Sequence, residues 1–516
     1  MHPSTHARTH PDKPAVIMAG SGAVLTYAGL EAASNRGAHL LRSLGCRVGD
    51  VVAILLENTS RFLEVAWAAQ RAGIYFVTIS TRLTAEEAAY IINDCRAKVV
   101  VTSPNVETVG PELAERLPRT AFYMMGAAAA GYLSWDDATG RFPSTPIADE
   151  RAGLDLLYSS GTTGRPKGVL KPLPVDPAIG GLNPMITRSR DVFGMGAHTV
   201  YLCPAPLYHA APLRFTMSIQ QLGGTIVLME HFDAAEALTL IGRYKVTASQ
   251  WVPTHFIRML KLPPEERAGH DLSSHTLAVH AAAPCPVPIK HEMIKWWGPI
   301  LHEYYGGSES VGLTSIESEE WLKHPGSVGR AKVGTIHICD EAGEPLPPGE
   351  TGVVFFEGGP KFSYLNDPVK TAEAYNKHGW GTYGDIGRLD DGGYLYLTDR
   401  KSFMIISGGV NIYPQEIENL LVTHPRVGDV AVIGAPDAEM GEKVVAVIQP
   451  VDWADAGEEF GEELRQWTRA RLSGVKTPRQ FDFVRELPRH ATGKLYKRLL
   501  RDEYWGREGS PVATTR

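Results

Sequence analysis

Apolar positions along the chain alternate between helical spacing and short unbroken runs. Residues 28–44 carry apolar side chains at steps of three and four, which predicts an amphipathic helix entered from 25–27. The unbroken run 51–56 predicts a buried strand, and 59–72 sets Phe62, Val65, Ala66 and Ala69 on one helical face. Further strands are expected at 99–101, 225–229 and 277–280, with helices such as 234–244 between them. Strands alternating with helices predict an α/β fold, with layered sheets of mostly parallel strands. From Val328 the texture changes to short strands punctuated by Gly and Pro, at 334–339, 352–357 and 394–397, which predicts a small β-barrel-like subdomain. Beyond Asp399 a compact α+β segment is expected, with strands at 403–406, 427–433, 444–449 and 481–484 and helices at 414–422 and 461–472. The expected domains are therefore 1–400 and 401–516, and no low-complexity spacer separates them.

Composition narrows the class. A chain of 516 residues is too long for one core. Its 43% hydrophobic and 21% charged content is that of a water-soluble globular protein. No apolar run reaches the roughly 18 residues a membrane span needs, and residues 1–6 lack the apolar core of a signal peptide. Five scattered cysteines without metal-ligand spacing read as reduced thiols of a cytosolic protein. A net charge of −7 argues against general affinity for nucleic acid.

The chemistry concentrates in a few segments. The apolar run 154–158 opens into Ser159-Ser160-Gly161-Thr162-Thr163-Gly164-Arg165-Pro166-Lys167. Small residues let backbone N–H groups and hydroxyls converge on phosphate oxygens, and Lys167 adds the cation a polyphosphate needs. Gly168 and Val169 follow that lysine where a P-loop NTPase would carry a Mg-binding hydroxyl, so this is not a Walker loop. In Tyr304-Tyr305-Gly306-Gly307-Ser308-Glu309, Tyr305 offers a flat face for a base, the glycines allow close approach, and Glu309 suits a hard cation. Asp385 can accept two ribose hydroxyls, with Arg400 available to bridge hydroxyl and phosphate. Gly408 and Gly409 leave room for a slender ligand arm. On residues alone each segment is also compatible with a plain turn, and Lys494 with a solvated surface cation.

Together, and in this order, these segments resemble the adenylate-forming superfamily of acyl-CoA synthetases, peptide-synthetase adenylation domains and beetle luciferases. The likeness spans nearly the whole chain. It is greatest to the acyl-CoA ligases, which carry a run like Gly408-Gly409-Val410-Asn411-Ile412-Tyr413-Pro414-Gln415-Glu416-Ile417-Glu418 along the pantetheine arm of CoA. The resemblance implies that Ser159 to Gly164 and Lys167 hold the triphosphate of ATP, later AMP. It places Ala282, Ala283 and Pro284 beside the adenine, with Glu303 and Gly306 next to them and Tyr305 on the base. Ser308 then meets the α-phosphate, Glu309 holds Mg²⁺, and Asp385 holds the ribose with support from Arg400. Tyr208 and His209, in Pro206-Leu207-Tyr208-His209, form a gate between nucleotide and acyl pocket. Lys494, in Pro488-Arg489-His490-Ala491-Thr492-Gly493-Lys494, becomes the catalytic lysine of a mobile C-terminal domain that turns about a hinge at Ser402.

The sequence also departs from that family. Ser402 stands where an Asp or Lys is usual, Lys171-Pro172 where many relatives have Thr-His, and Tyr383 where Thr is usual; Ser308 replaces a threonine, and His280 and Glu303 are uncommon choices. These leave open a half-ligase that only thioesterifies an adenylate made by a separate enzyme. A non-catalytic binder of acyl-adenylate or CoA is the third reading, and the presence of both Lys494 and Glu309 speaks against it. Trp251, Tyr304, Met195, Phe215 and Met217 are candidate walls of the acyl pocket and imply an apolar acid, such as a fatty acid or a terpenoid or steroid side-chain acid. Self-association as a homodimer is left open.

Overall fold

The computed structural model describes residues 1–106, 111–159, 166–181, 184–400, 403–488 and 495–506. Two large sheets form the N-terminal part. One has five parallel strands in the order Tyr75–Thr78, Val51–Leu55, Val99–Thr102, Ala121–Met124 and Leu133–Ser134. The other has nine strands, and its centre runs Pro14–Met18, Thr225–Leu228, Val200–Cys203, Ala248–Trp251, Leu277–His280 and Leu301–Tyr305, all parallel. Antiparallel strands extend it at both ends. The unbroken apolar runs of the central strands follow from burial on both faces.

Helices between the strands start and stop where the local chemistry directs. Thr84 and Glu87 form a reciprocal capping box that opens the helix Ala85–Asp94, whose Ala88, Ile91 and Ile92 are buried. Gly223, at φ +85°, closes the helix Ala210–Leu222 in the left-handed conformation that glycine tolerates. Side chains from both large sheets, among them Val52, Ile54, Tyr201 and Cys203, share one apolar core with Phe62 and Trp67.

The β-rich region differs from the expected barrel. Its strands Thr335–Cys339, Gly352–Glu357, Gly381–Leu389 and Leu395–Arg400 make a four-stranded antiparallel sheet in that order, with no pairing between the first and last among the described residues. One face packs Ile336, Ile338, Val354 and Phe356 against Val311 and Val328, so burial comes from a neighbouring segment rather than from closure. The run 154–158 is likewise only partly strand. Residues 154–156 lie along Phe76, while the strand itself is Leu157–Ser159.

The C-terminal sheet runs Val410–Ile412, Ile405–Ser407, Gly441–Pro450 and Val427–Asp437, and Gln480–Phe483 adds in parallel to Gly441–Pro450. The helix Glu458–Arg469 supplies the crossover a parallel pair requires. This unit touches the N-terminal part where Ile257 joins its core and where the Gln415 N–H donates to Asp399 Oδ2 at 2.9 Å.

Candidate nucleotide and acyl site

The phosphate-loop hairpin is built from Leu157–Ser159 and Lys167–Leu170, with Ser159 opposite Lys167. Ser160, Gly161, Thr162, Thr163 and Gly164 lie outside the described residues, as do Ser402 and Lys494 and the side chains of Ser159 and Arg400. Ser363–Tyr364 pairs with the outer edge of the hairpin and sets the Tyr364 ring 5.3 Å from the Lys167 ammonium. The Tyr364 hydroxyl donates to Glu309 Oε1 at 3.0 Å, so the proposed phosphate and metal residues share one scaffold. Partial burial pulls the Lys167 ammonium below its ordinary range, with Lys370 adding to the fall and Glu309 among the carboxylates opposing it.

Tyr305 ends the strand Leu301–Tyr305 and Asp385 lies on Gly381–Leu389. The Tyr305 hydroxyl donates to Asp385 Oδ2 at 2.7 Å. Arg400 is the cross-strand register partner of Asp385, which puts the two proposed ribose residues side by side on the backbone. Ala282 and Ala283 are exposed and Pro284 half-buried just beyond the strand Leu277–His280. Ala282 holds φ +78°, an uncommon conformation for a residue with a Cβ.

Two expected contacts do not survive the geometry. Glu303 is 4% exposed, and its Oε2 lies 2.5 Å from Lys290 Nζ and 3.7 Å from His280 Nε2. It points into the core, because a buried cation needs a paired carboxylate and Lys290 is fully buried. Burial pushes the Glu303 carboxyl up against the pull of Lys290, and burial with the same lysine holds His280 neutral, well below its usual range. Trp251 also leaves the acyl pocket. Side chains alternate across a strand, so Ser249 and Trp251 share one face, where Trp251 packs on His255, Phe256 and Trp297. Gln250 faces the opposite layer, accepting from the Tyr201 hydroxyl at 3.3 Å.

That opposite layer holds the remaining acyl candidates. Phe215 lies 6.1 Å from Tyr304 and 5.7 Å from Phe193, with Met195 and Met217 in the same core. The Tyr208 and His209 rings meet edge to face at 4.5 Å, and His209 is the residue immediately before the helix Ala210–Leu222, with no capping bond from its side chain. Asn58 fixes the approach to this pair, donating to Ala205 O at 3.1 Å and accepting from Leu207 N at 2.7 Å.

Several residues here were not singled out as site groups from the sequence. Arg214, on Ala210–Leu222, bonds Asp155 Oδ2 through Nε at 3.1 Å and Nη2 at 2.7 Å. Arg188 projects from Pro184–Asp191, the helix packed against it. Lys171 Nζ donates to Ser310 Oγ at 2.7 Å, and burial with the nearby Arg214 lowers its pKa to about 7. Scattered basic residues in helices and loops carry no sequence pattern that marks them; only the departure at Lys171 gave a signal. Gly408 and Gly409, at φ +56° and +79°, form the turn between Ile405–Ser407 and Val410–Ile412, where two consecutive positive φ values favour glycine.

Residues 4–361 match the AMP-binding enzyme family, and 416–494 match the AMP-binding enzyme C-terminal domain. The chain belongs to the AMP-binding enzyme family. It is similar to a feruloyl-CoA synthase of Amycolatopsis sp, at 34% identity with 97% of this chain and 98% of that one covered. A long-chain-fatty-acid–CoA ligase of Mycobacterium tuberculosis is 32% identical, with 93% of each chain covered. The structure of an anthranilate CoA ligase in complex with anthranoyl-AMP superposes with a TM-score of 0.83 at 25% identity, over 97% of this chain and 96% of that one. Among the described residues no helix is long and apolar enough to cross a membrane.

Proposed function

We propose that the chain is an AMP-forming acid–thiol ligase, which activates a carboxylic acid with ATP and passes the acyl group to CoA. The observation that carries this reading is the meeting of three sheets at one place: the Lys167 hairpin with Tyr364, whose hydroxyl holds Glu309, and Tyr305 hydrogen-bonded to Asp385. A carboxylate resists nucleophiles because of its charge, and joining it to AMP supplies a leaving group. Asp385, steadied by Tyr305, accepts the ribose hydroxyls. Lys167 and the Ser159–Gly164 loop bind the triphosphate, so that pyrophosphate leaves with its charge matched.

Glu309 is one hard oxygen donor beside this loop, and no cluster of three metal-ligating side chains exists among the described residues. That donor set fits Mg²⁺, which takes few protein ligands and relies on phosphates and water. Bound at Glu309, Mg²⁺ supplies positive charge to the phosphate oxygens. Lys494 contacts the carboxylate oxygen and α-phosphate where charge builds, and Ser308 assists at the same phosphate. Tyr208 and His209 keep the acyl chain apart from the nucleotide until the anhydride has formed. Rotation about Ser402 then withdraws Lys494 and brings up the Gly408–Gly409 turn, the CoA sulfur attacks the acyl carbon, and AMP departs.

Lys494→Ala tests the assignment. Pyrophosphate release is expected to fall by two to three decades, the order of magnitude for losing one charge-stabilising group. CoA transfer from a supplied acyl-adenylate should persist. Equal loss of both half-reactions would contradict a lysine used in one domain orientation.

A further inference from the structure

Arg188, Arg214 and Lys171 lie within electrostatic reach of one another, the two arginines also within reach of Tyr304, with a single dedicated counter-ion among the described residues. Arg214 is paired with Asp155, both side chains about one-fifth exposed. Lys171 sits within electrostatic reach of Arg214, Asp155, Arg188 and Glu309, and its ammonium is satisfied by a neutral hydroxyl, that of Ser310. Arg188 is half-buried, and among the described residues it makes no ion pair and no side-chain hydrogen bond. Its charge is felt by Tyr304, Tyr383 and Arg214, and burial depresses its proton affinity. Tyr304 in turn responds to Arg188 and Arg214, so both guanidiniums lie within electrostatic reach of its phenol. The corner is walled by Phe193 and Phe215 and keeps partial exposure at Tyr304, Arg188 and Lys171.

Such an arrangement is unfavourable in an empty protein. Holding unpaired cations out of water costs several kcal/mol unless an anion completes the set. Glu309 does not fill that role, because its carboxylate is turned toward Tyr364 and is the proposed metal ligand. The reacting carboxylate does not fill it either, since its charge is spent in the anhydride at Ser308 and Lys494. A guanidinium with free N–H groups matches a carboxylate in a bidentate pair.

Resting on the ligase reading, we propose that Arg188, with Arg214 and Lys171 behind it, binds a second carboxylate at the far end of the acid, so that the substrate is a dicarboxylic acid with an apolar spacer. The aromatic walls then hold the spacer, and the cationic corner sets its length and excludes simple fatty acids.

The test compares straight-chain monocarboxylic acids with α,ω-dicarboxylic acids of four to twelve carbons. Binding is measured by calorimetry in the presence of AMP, and turnover by ATP-dependent pyrophosphate release. At the fitting length the diacid should bind the wild type about tenfold or more tightly than the monoacid of equal length, the size expected of a charged hydrogen-bonded pair. In Arg188→Met that ratio should collapse toward one, and Arg188→Lys should restore part of it. Thermal unfolding of Arg188→Met should stay level or rise, whereas an arginine kept for structure would lower it. A wild-type ratio near one at every length overturns the proposal, whether or not the protein turns over. Equal weakening of ATP and of both acid series in Arg188→Met would assign the cation to phosphate and overturn it too. Pyrophosphate release with monoacids alone would leave the ligase standing and the diacid site refuted.

Discussion

Gly307 and Tyr383 occupy one volume between them: a methyl group on Gly307 would lie 2.5 Å from Tyr383 Cε1 and 2.9 Å from Glu309 Oε2. Tyr383 is anchored from behind, donating to Gly312 O at 2.8 Å and accepting from Gly312 N at 3.2 Å. The tyrosine that replaces a common threonine is thus accommodated by a glycine in the segment that presents Glu309. Gly307→Ala should force ring and loop apart and destabilise the protein by about 1–3 kcal/mol, the usual range for overpacking. Adding Tyr383→Thr should return much of that loss. Thermal or urea unfolding of the two single variants and the double variant measures the coupling, and additive effects would contradict it.

Asp385→Ala removes the proposed ribose acceptor, and AMP affinity should drop about tenfold or more, as expected for charged hydrogen bonds. Tyr305→Phe keeps the ring and deletes the 2.7 Å bond that orients Asp385. Its effect should be smaller, about 0.5–1.5 kcal/mol, the net value of an ordinary hydrogen bond. Calorimetric titration with AMP checks both, and a larger loss in Tyr305→Phe than in Asp385→Ala would reverse the assigned roles.

Glu303→Gln should be costly to the fold rather than to nucleotide contact. It strands the buried Lys290 ammonium, which otherwise lies 2.5 Å from Glu303 Oε2 and 4.6 Å from the Trp321 ring. Breaking one side of a buried pair typically costs about 3–5 kcal/mol. The paired change Glu303→Leu with Lys290→Met should recover most of the stability. Denaturant midpoints decide the matter; an unchanged midpoint in Glu303→Gln with weakened AMP binding would return Glu303 to the site.

Lys171 gives a pH signature. Its pKa falls from an ordinary 10.5 to about 7, through burial first and Arg214 second, with Arg188 adding to the fall and Asp155 and Glu309 opposing it. Between those two values the unfolded chain binds more protons than the folded one, so this lysine makes stability rise with pH across that window. Below pH 7 the charge is carried in both states and the penalty is constant and full. Lys171→Met should therefore stabilise the protein at pH 6, on the order of 1–2 kcal/mol after losing the Ser310 bond. The gain should shrink by pH 9. Melting temperatures across that range check the sign, and a gain that grows with pH would contradict it.

Much of this was legible in the sequence because backbone chemistry writes short patterns. The unbroken runs at 51–56, 225–229 and 277–280 became strands with ends shifted by a residue or so, since burial on both faces demands apolar side chains throughout. Gly408 and Gly409 stand out for a similar reason, as the turn they form has two positive φ values that admit few other residues; their part in CoA binding is a proposal. Trp251 was misread because a residue buried on both-face strands gives no sign of which layer it enters; the parity with Ser249 and Gln250 decides that only once the partners are seen. Glu303 was misread because its partner Lys290 is 13 positions away on another element. Arg188 and Arg214 went unseen since an arginine on a helix is usually solvated, and only the packing of the two helices turns both inward.

The central claim is that one chain carries out both half-reactions. The most direct measurement is pyrophosphate release from ATP and acid without CoA, followed by CoA addition and quantitation of AMP and thioester. With a fitting acid, one pyrophosphate per active site should appear before CoA is added, and AMP and thioester should follow in equal amounts afterwards. Rapid thioester formation from a synthetic acyl-adenylate, with no pyrophosphate release for any acid, would contradict the account and leave a thioesterifying half-ligase that depends on a separate adenylating enzyme.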